Sequence, residues 1–172
     1  MLIDDFELIA PGFTDAPWSE TQALGCAVWL WMHSKAHRDM PLHALNKLLL
    51  PALRQRQFMI GSQQGRPVFY VSWSYFSAEA ERRYLDNAAL ELPEHDWNSG
   101  ERMWFHDWVA PFGHSTQVAR LLQRRFFTDR CMRGLYHRGD ERGLQIKQFQ
   151  GIKVMPAEAR AWFATHAVAR SA

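Results

Sequence analysis

Met103-Trp-Phe-His-Asp-Trp-Val109, closed by Ala110-Pro-Phe-Gly113, alternates at the two-residue period of a β-strand. The period predicts Trp104, His106 and Trp108 on one face and Met103, Phe105, Asp107 and Val109 on the other. Asp107 is then the one charged member of an apolar face. Pro111-Phe-Gly113 ends the strand, and Ser115 or Thr116 caps a helix expected from Gln117 to Phe127, with Val118, Leu121, Leu122 and Phe126 on its buried side.

Strand pairs are expected on both sides of this strand-turn-helix unit. Upstream, Gln57–Gly61 and Pro67–Trp73 flank Ser62-Gln-Gln-Gly-Arg66, a β-hairpin pattern turned at Gly65. Downstream, Cys131–Tyr136 and Leu144–Phe149 are joined around Arg138-Gly-Asp-Glu-Arg-Gly143. Helices fill the rest. Ser19-Glu-Thr-Gln22 is a capping-box pattern ahead of Leu24, Ala27, Val28 and Trp31 at helical spacing, so a first helix runs to His33. Asp39 and Pro41 start a second, with Leu42, Leu45, Leu48 and Leu49 on its apolar side, and Pro51 kinks or stops it. Ser77 caps a third through Leu85, and Pro156 opens a last short one. The order αα-ββ-α-β-α-ββ-α predicts an α/β (α+β) fold in a single domain over residues 1–172, with residues 1–20 poorly ordered.

A hydrophobic fraction of 47% with 8 Trp in 172 residues supplies enough apolar surface to offset the entropy of ordering the chain, which excludes a disordered protein. No apolar run approaches the roughly 20 residues that span a bilayer, and the acidic start Met1-Leu-Ile-Asp-Asp-Phe-Glu7 lacks the positive region of a secretory signal. A cytoplasmic location is expected. The cysteines, Cys26 and Cys131, have no metal-ligand spacing and read as small buried apolar residues. Charge is distributed unevenly: five acidic residues and no Lys or Arg in the first twenty, then nine basic against three acidic from Arg120 to Lys153. The second half is therefore either a solvated basic face or a surface for an acidic partner.

The break after the first helix carries the chemistry. Trp29-Leu-Trp-Met-His-Ser-Lys-Ala-His-Arg-Asp-Met-Pro41 delivers Ser34 and His37 there. His33 and His37 stand four apart, yet Ser34 follows where a metalloprotease motif has Glu, and no third ligand is nearby, so no metal is expected. A neutral His37 accepts a proton at pH 7, and Asp107 would fix its tautomer and support the cation formed. Asp107 equally serves as a cap for a buried amide or as a partner of Arg38 or Arg102. Ser34 is either a nucleophile activated by His37 or a helix-end cap. No nucleic-acid signature accompanies the basic half, whose aromatics fall in core-type alternation.

Trp29-Leu-Trp31 followed by Ser34, His37-Arg38 and Pro41, then Pro67-Val68 with Ser72-Trp73, then Trp97, Ser99-Gly100, Arg102, Trp104, Asp107-Trp108 and Ala110-Pro-Phe-Gly113, resemble the RTX toxin-activating lysine acyltransferases. The resemblance runs from about Leu24 to Lys153. It implies a fold similar to GNAT-type N-acetyltransferases, with a mixed, mostly antiparallel sheet flanked by helices, in a homodimeric cytoplasmic enzyme. It also implies transfer of a fatty acyl group from acyl carrier protein to internal lysines of an RTX protoxin, with no bound cofactor. His37 and Asp107 fall on the family's catalytic pair, and Ser34 on a serine that affects activity. Trp31, Arg38, Trp104, Arg120 and Arg124 are the expected contacts to acyl chain or carrier. A lysine amine is protonated at neutral pH and cannot attack a thioester, so a base in the position of His37 suits that reaction. The rivals are a non-catalytic adaptor binding toxin or RNA through the basic half, and a coenzyme A-dependent enzyme.

Overall fold

Ser19 and Ser77 cap the helices that the sequence assigns to them. In the computed structural model, which describes residues 1–87, 91–136 and 145–169, the Ser19 hydroxyl accepts from the Gln22 amide at 3.3 Å and opens α1 (Glu20–Met32). The Ser77 hydroxyl accepts from the Ala80 amide at 3.1 Å and opens α4 (Ala78–Asp86). Between them a 3-10 turn (Leu42–Ala44) leads into two short helices, α2 (Leu45–Leu48) and α3 (Leu50–Arg54). Pro51 neither kinks nor stops a long helix. It sits in the first turn of α3, where its missing N–H costs nothing.

The sheet runs in sequence order through β1 (Leu2–Ile3), β2 (Phe6–Ile9), β3 (Phe58–Gln63), β4 (Arg66–Phe76), β5 (Arg102–Val109), β6 (Cys131–Tyr136) and β7 (Gln145–Gln150). Every neighbouring pair is antiparallel except β5 and β6, which are parallel. α5 (Ser115–Leu121) forms the crossover between those two, and α6 (Pro156–Thr165) follows the sheet. This is the mixed, mostly antiparallel sheet with flanking helices that was expected. Gln64 and Gly65, at φ 51° and 73°, make the two-residue β3–β4 turn that matches the twist of its strands. The β1 and β2 strands carried no strand signal. The junction expected around Arg138–Gly143, with His137 and Leu144, lies outside the described residues.

Alternation along β4 divides the core into two layers. Tyr70 and Phe76 face α1, α3 and α4, packing with Ala27, Leu30, Trp31, Leu53 and Tyr84. Phe69, Val71 and Trp73 face the other way, toward Phe6, Leu8, Val118, Leu121 and Phe127. Two one-residue insertions depart from the expected pattern. Val71 pairs with Trp108 but Trp73 pairs with Phe105, so β5 carries an extra residue opposite Ser72. Past this β-bulge the faces exchange: Trp108 joins Phe105 and Phe149 in the second layer, and Val109 joins the first. Asp107 therefore does not share a face with Met103 and Phe105. The second insertion is a π-helical turn, Leu122–Phe126, after α5, which buries Phe127 in place of the expected Phe126. His114, not Ser115 or Thr116, occupies the α5 N-cap position, without a side-chain bond.

A buried ion cluster ties the end of the described chain to the sheet. Glu81, fully enclosed, accepts from Trp104 Nε1 at 2.8 Å, Arg133 Nη1 at 2.9 Å, Arg102 Nη1 at 2.7 Å and the Ala169 amide at 3.0 Å. Arg133 also donates to the His166 carbonyl, and Arg102 donates to the Ala167 carbonyl at 2.9 Å. One carboxylate thus neutralises half of two guanidinium charges, and carbonyls beyond α6 take up further donors, while Arg133 Nε is buried without a partner among the described residues. Burial pulls the Arg133 pKa down, and Glu81 opposes that pull.

Candidate active site

His37 stands in a turn fixed by its own backbone, whose amide donates to the Ser34 carbonyl at 3.1 Å; the Arg38 amide donates to the same oxygen at 2.9 Å. That turn brings Ser34 Oγ to 2.8 Å from His37 Nδ1. Trp31, one turn back, lies 5.0 Å from the imidazole, centroid to centroid, and orients it. On the far side of the ring, His37 Nε2 is 3.3 Å from Asp107 Oδ1.

The bulge is what aims Asp107 at His37. The residue it adds to β5 leaves the Asp107 amide without a ladder partner, and the Ser72 hydroxyl accepts from it at 3.2 Å. Parallel pairing of β5 with β6 runs only from Met103 with Met132 to Phe105 with Gly134, so beyond Phe105 β5 keeps β4 alone. Asp107 is 8% exposed, and its Oδ2, like Tyr70 Oη and Trp31 Nε1, is buried without a hydrogen-bond partner among the described residues. Burial, with the Asp107 charge adding to it, holds the phenols of Tyr70 and Tyr84 well above their ordinary pKa. Both rings stay neutral beside the carboxylate.

A carboxylate only accepts, so Asp107 holds the proton on Nε2 and leaves the Nδ1 lone pair to accept from Ser34 Oγ–H. The result is a hydroxyl, an imidazole and a carboxylate in line, with the two ring nitrogens exchanged relative to serine hydrolases. Neither alternative partner of Asp107 is used. Arg38 is exposed and lies 3.6 Å from Asp39, and Arg102 belongs to Glu81.

The remaining sequence-derived residues scatter. Trp31 flanks the imidazole, while Trp104 is fully buried with its N–H on Glu81. Arg120 and Arg124 line a cavity of about 530 Å³ with Asp4, Phe6 and Arg125, on the α5 side of the sheet, away from His37. His33 does not converge with His37; its Nδ1 donates to the Trp29 carbonyl at 2.8 Å. Cys26 and Cys131 are free thiols. Sequence reasoning missed Ser72 and Tyr70, although Ser72 has the same signal as Asp107, a polar residue inside an apolar strand.

Residues 16–150 match the RTX toxin acyltransferase family. The chain belongs to that family. It is 36% identical over 133 residues to the leukotoxin-activating lysine-acyltransferase LtxC of Aggregatibacter actinomycetemcomitans, covering 77% of this chain and 78% of the relative. It is 37% identical over 133 residues to the RTX-I toxin-activating lysine-acyltransferase ApxIC of Actinobacillus pleuropneumoniae, covering 77% and 76%. It is 34% identical over 131 residues to the protein-lysine myristoyltransferase RtxC of Kingella kingae, covering 76% and 77%. An RTX toxin acyltransferase is an enzyme, and the adaptor reading gives way. No helix among the described residues is long and apolar enough to cross a membrane.

Proposed function

We propose that this RTX toxin acyltransferase moves a fatty acyl group from acyl carrier protein to internal lysine side chains of an RTX protoxin, with Ser34, His37 and Asp107 as its catalytic residues. The observation that carries the assignment is the hydroxyl–imidazole–carboxylate line, 2.8 Å and 3.3 Å long in its two steps. The names of the relatives supply the lysine acceptor, and the myristoyltransferase supplies the fatty acyl group.

In the direct route the lysine amine attacks the thioester carbonyl, His37 Nδ1 takes its proton, and the C–S bond breaks. The proton passes to the departing sulfur, leaving an amide and a free thiol. Asp107 stabilises the imidazolium between these steps. The β5 backbone freed from β6 beyond Phe105 supplies donors for the tetrahedral oxyanion. Ser34 on Nδ1 supports a second route, in which its oxygen first takes the acyl group and the lysine then displaces it.

The enzyme acts as one domain, as a homodimer in the cytoplasm. Intact-mass spectrometry of a cognate protoxin fragment, incubated with enzyme and acyl-charged carrier protein, tests the reading. One acyl mass per modified lysine is expected, absent with His37→Ala. Transfer retained by the folded His37→Ala protein would refute the catalytic assignment. An acylated enzyme peptide containing Ser34 selects the second route, and light scattering reads the dimer directly.

A further inference from the structure

On the His37 side of the sheet one cation is held in place without an acid. The Arg66 guanidinium, at the start of β4, lies 5.2 Å from the Trp29 ring centroid and 4.6 Å from that of Phe112. Trp29 and Phe112 are themselves 5.7 Å apart, and the His33 ring packs at a tilt against both, at 4.1 Å and 5.5 Å. No carboxylate stands within ion-pair distance of Arg66 among the described residues, and no protein acceptor takes its side-chain N–H groups. The two rings hold the guanidinium by cation–π contact, and the side chain is exposed, so its planar fork of donors is free to meet an anion. Arg120 and Arg124, by contrast, lie on the other layer, and the neighbouring Arg125 already pairs with Asp4 at 3.2 Å.

We infer that Arg66, clamped by Trp29 and Phe112, is an anion-recognition residue for the phosphate of the pantetheine arm that delivers the acyl thioester. This rests on the proposed thioester donor. The length fits. Arg66 precedes Tyr70, the phenol that feels the Asp107 charge, by four residues of β4, about 13 Å at the strand rise. A pantetheine arm has about thirteen bonds from phosphorus to sulfur, the span of a four- to five-residue extended chain, about 15 Å. A phosphate held at Arg66 therefore puts the thioester near Ser34 and His37. A guanidinium fork binds two phosphate oxygens at once, and pre-stacking leaves little side-chain freedom to lose on binding. Acyl carrier protein and coenzyme A share this phosphate, so the cluster recognises the arm rather than its carrier.

The test compares kcat/KM for three acyl donors of one chain length: phosphate-free acyl-pantetheine, acyl-4′-phosphopantetheine and acyl carrier protein, with acyl-coenzyme A as a fourth arm to separate the two sources. The quantity read is the ratio of phosphorylated to phosphate-free donor, which cancels any general loss from misfolding. Wild type is expected to prefer the phosphorylated donors tenfold or more, and R66M to lose most of that preference, with R66K only partly restoring it. A wild-type ratio near one, or a ratio unchanged in R66M, overturns the inference while leaving the donor reading intact. Loss confined to acyl carrier protein assigns Arg66 to carrier carboxylates and also overturns it. Failure of wild type on every pantetheine thioester, with His37-dependent transfer from another donor, sinks the donor reading itself.

Discussion

Replacing Asp107 by Asn exchanges one buried oxygen for an amide of the same size, and the structure predicts opposite effects on activity and stability. Asp107 is 8% exposed, with Oδ1 3.3 Å from His37 Nε2 and Oδ2 unpartnered. An amide that turns its N–H toward Nε2 forces the ring proton onto Nδ1, which then has no lone pair for Ser34 or an amine. The rate should fall by roughly 10²–10⁴, the range seen when a general base is lost or its tautomer inverted. Stability should move the other way. A buried charge with one unsatisfied oxygen costs about 1–3 kcal/mol, and the neutral amide escapes part of that. The variant should match wild type or exceed it by up to about 2 kcal/mol, a rise of no more than roughly 8 °C in Tm. Acyl-transfer rates by mass spectrometry, beside urea unfolding of the same preparations, read both quantities. Activity within tenfold of wild type, with stability reduced by more than 2 kcal/mol, would falsify the argument and make Asp107 a structural brace.

Ser34→Ala separates the two routes: a loss as deep as that of His37→Ala means acyl-serine, whereas a loss of tenfold or less in single-turnover assays means that the hydroxyl only steadies Nδ1. Glu81→Gln should cost about 3–5 kcal/mol in urea unfolding, because it leaves the buried Arg133 and the partly buried Arg102 without their counter-charge; a loss under 1 kcal/mol would show that the carbonyls of His166 and Ala167 suffice. His106, whose ring stacks on Trp97 at 4.2 Å and meets Ser74 Oγ at 2.8 Å, has its pKa lowered from 6.5 to about 3 by burial. The unfolded chain therefore binds a proton that the fold refuses. Stability is full above pH 6.5 and falls as pH drops toward 3, by up to about 1.4 kcal/mol per unit. Urea midpoints at pH 6.5 and 5 should differ for wild type and converge for His106→Asn, and equal slopes for the two proteins would refute the assignment.

Local chemistry made much of this molecule legible. Ser19, Ser77 and Gly65 act through bonds within a few residues, and each sits where its sequence pattern puts it. The turn that joins Ser34 to His37 is equally local, so both were visible as a chemical pair. Asp107 was recognisable as a misplaced charge, but not its direction, because a bulge is defined by counting against β4, a partner 35 residues away at Ser72. The π-turn that exchanges Phe126 for Phe127 is hidden because one extra residue in a helical turn shifts the buried face without changing the residue types that mark it. Glu81, Arg102 and Arg133 are ordinary surface residue types by composition, and their meeting, across 21 and 52 positions, follows only from the completed sheet. β1 and β2 are too short to show a period.

Parity governs a pleated strand: odd and even positions look in opposite directions, and a protein chemist reads faces by that rule. At His106 and Asp107 the rule is suspended, and two adjacent residues look into the same layer. The address of the carboxylate is thus stored as a residue count rather than as a residue type. Deleting one residue between Phe105 and Trp108 would keep every neighbouring side chain in the alphabet of the strand, yet restore strict parity and move the acid or its neighbour out of step with the imidazole. In alignments of RTX toxin acyltransferases, gap placement in β5 therefore carries as much meaning as identity at the aspartate itself.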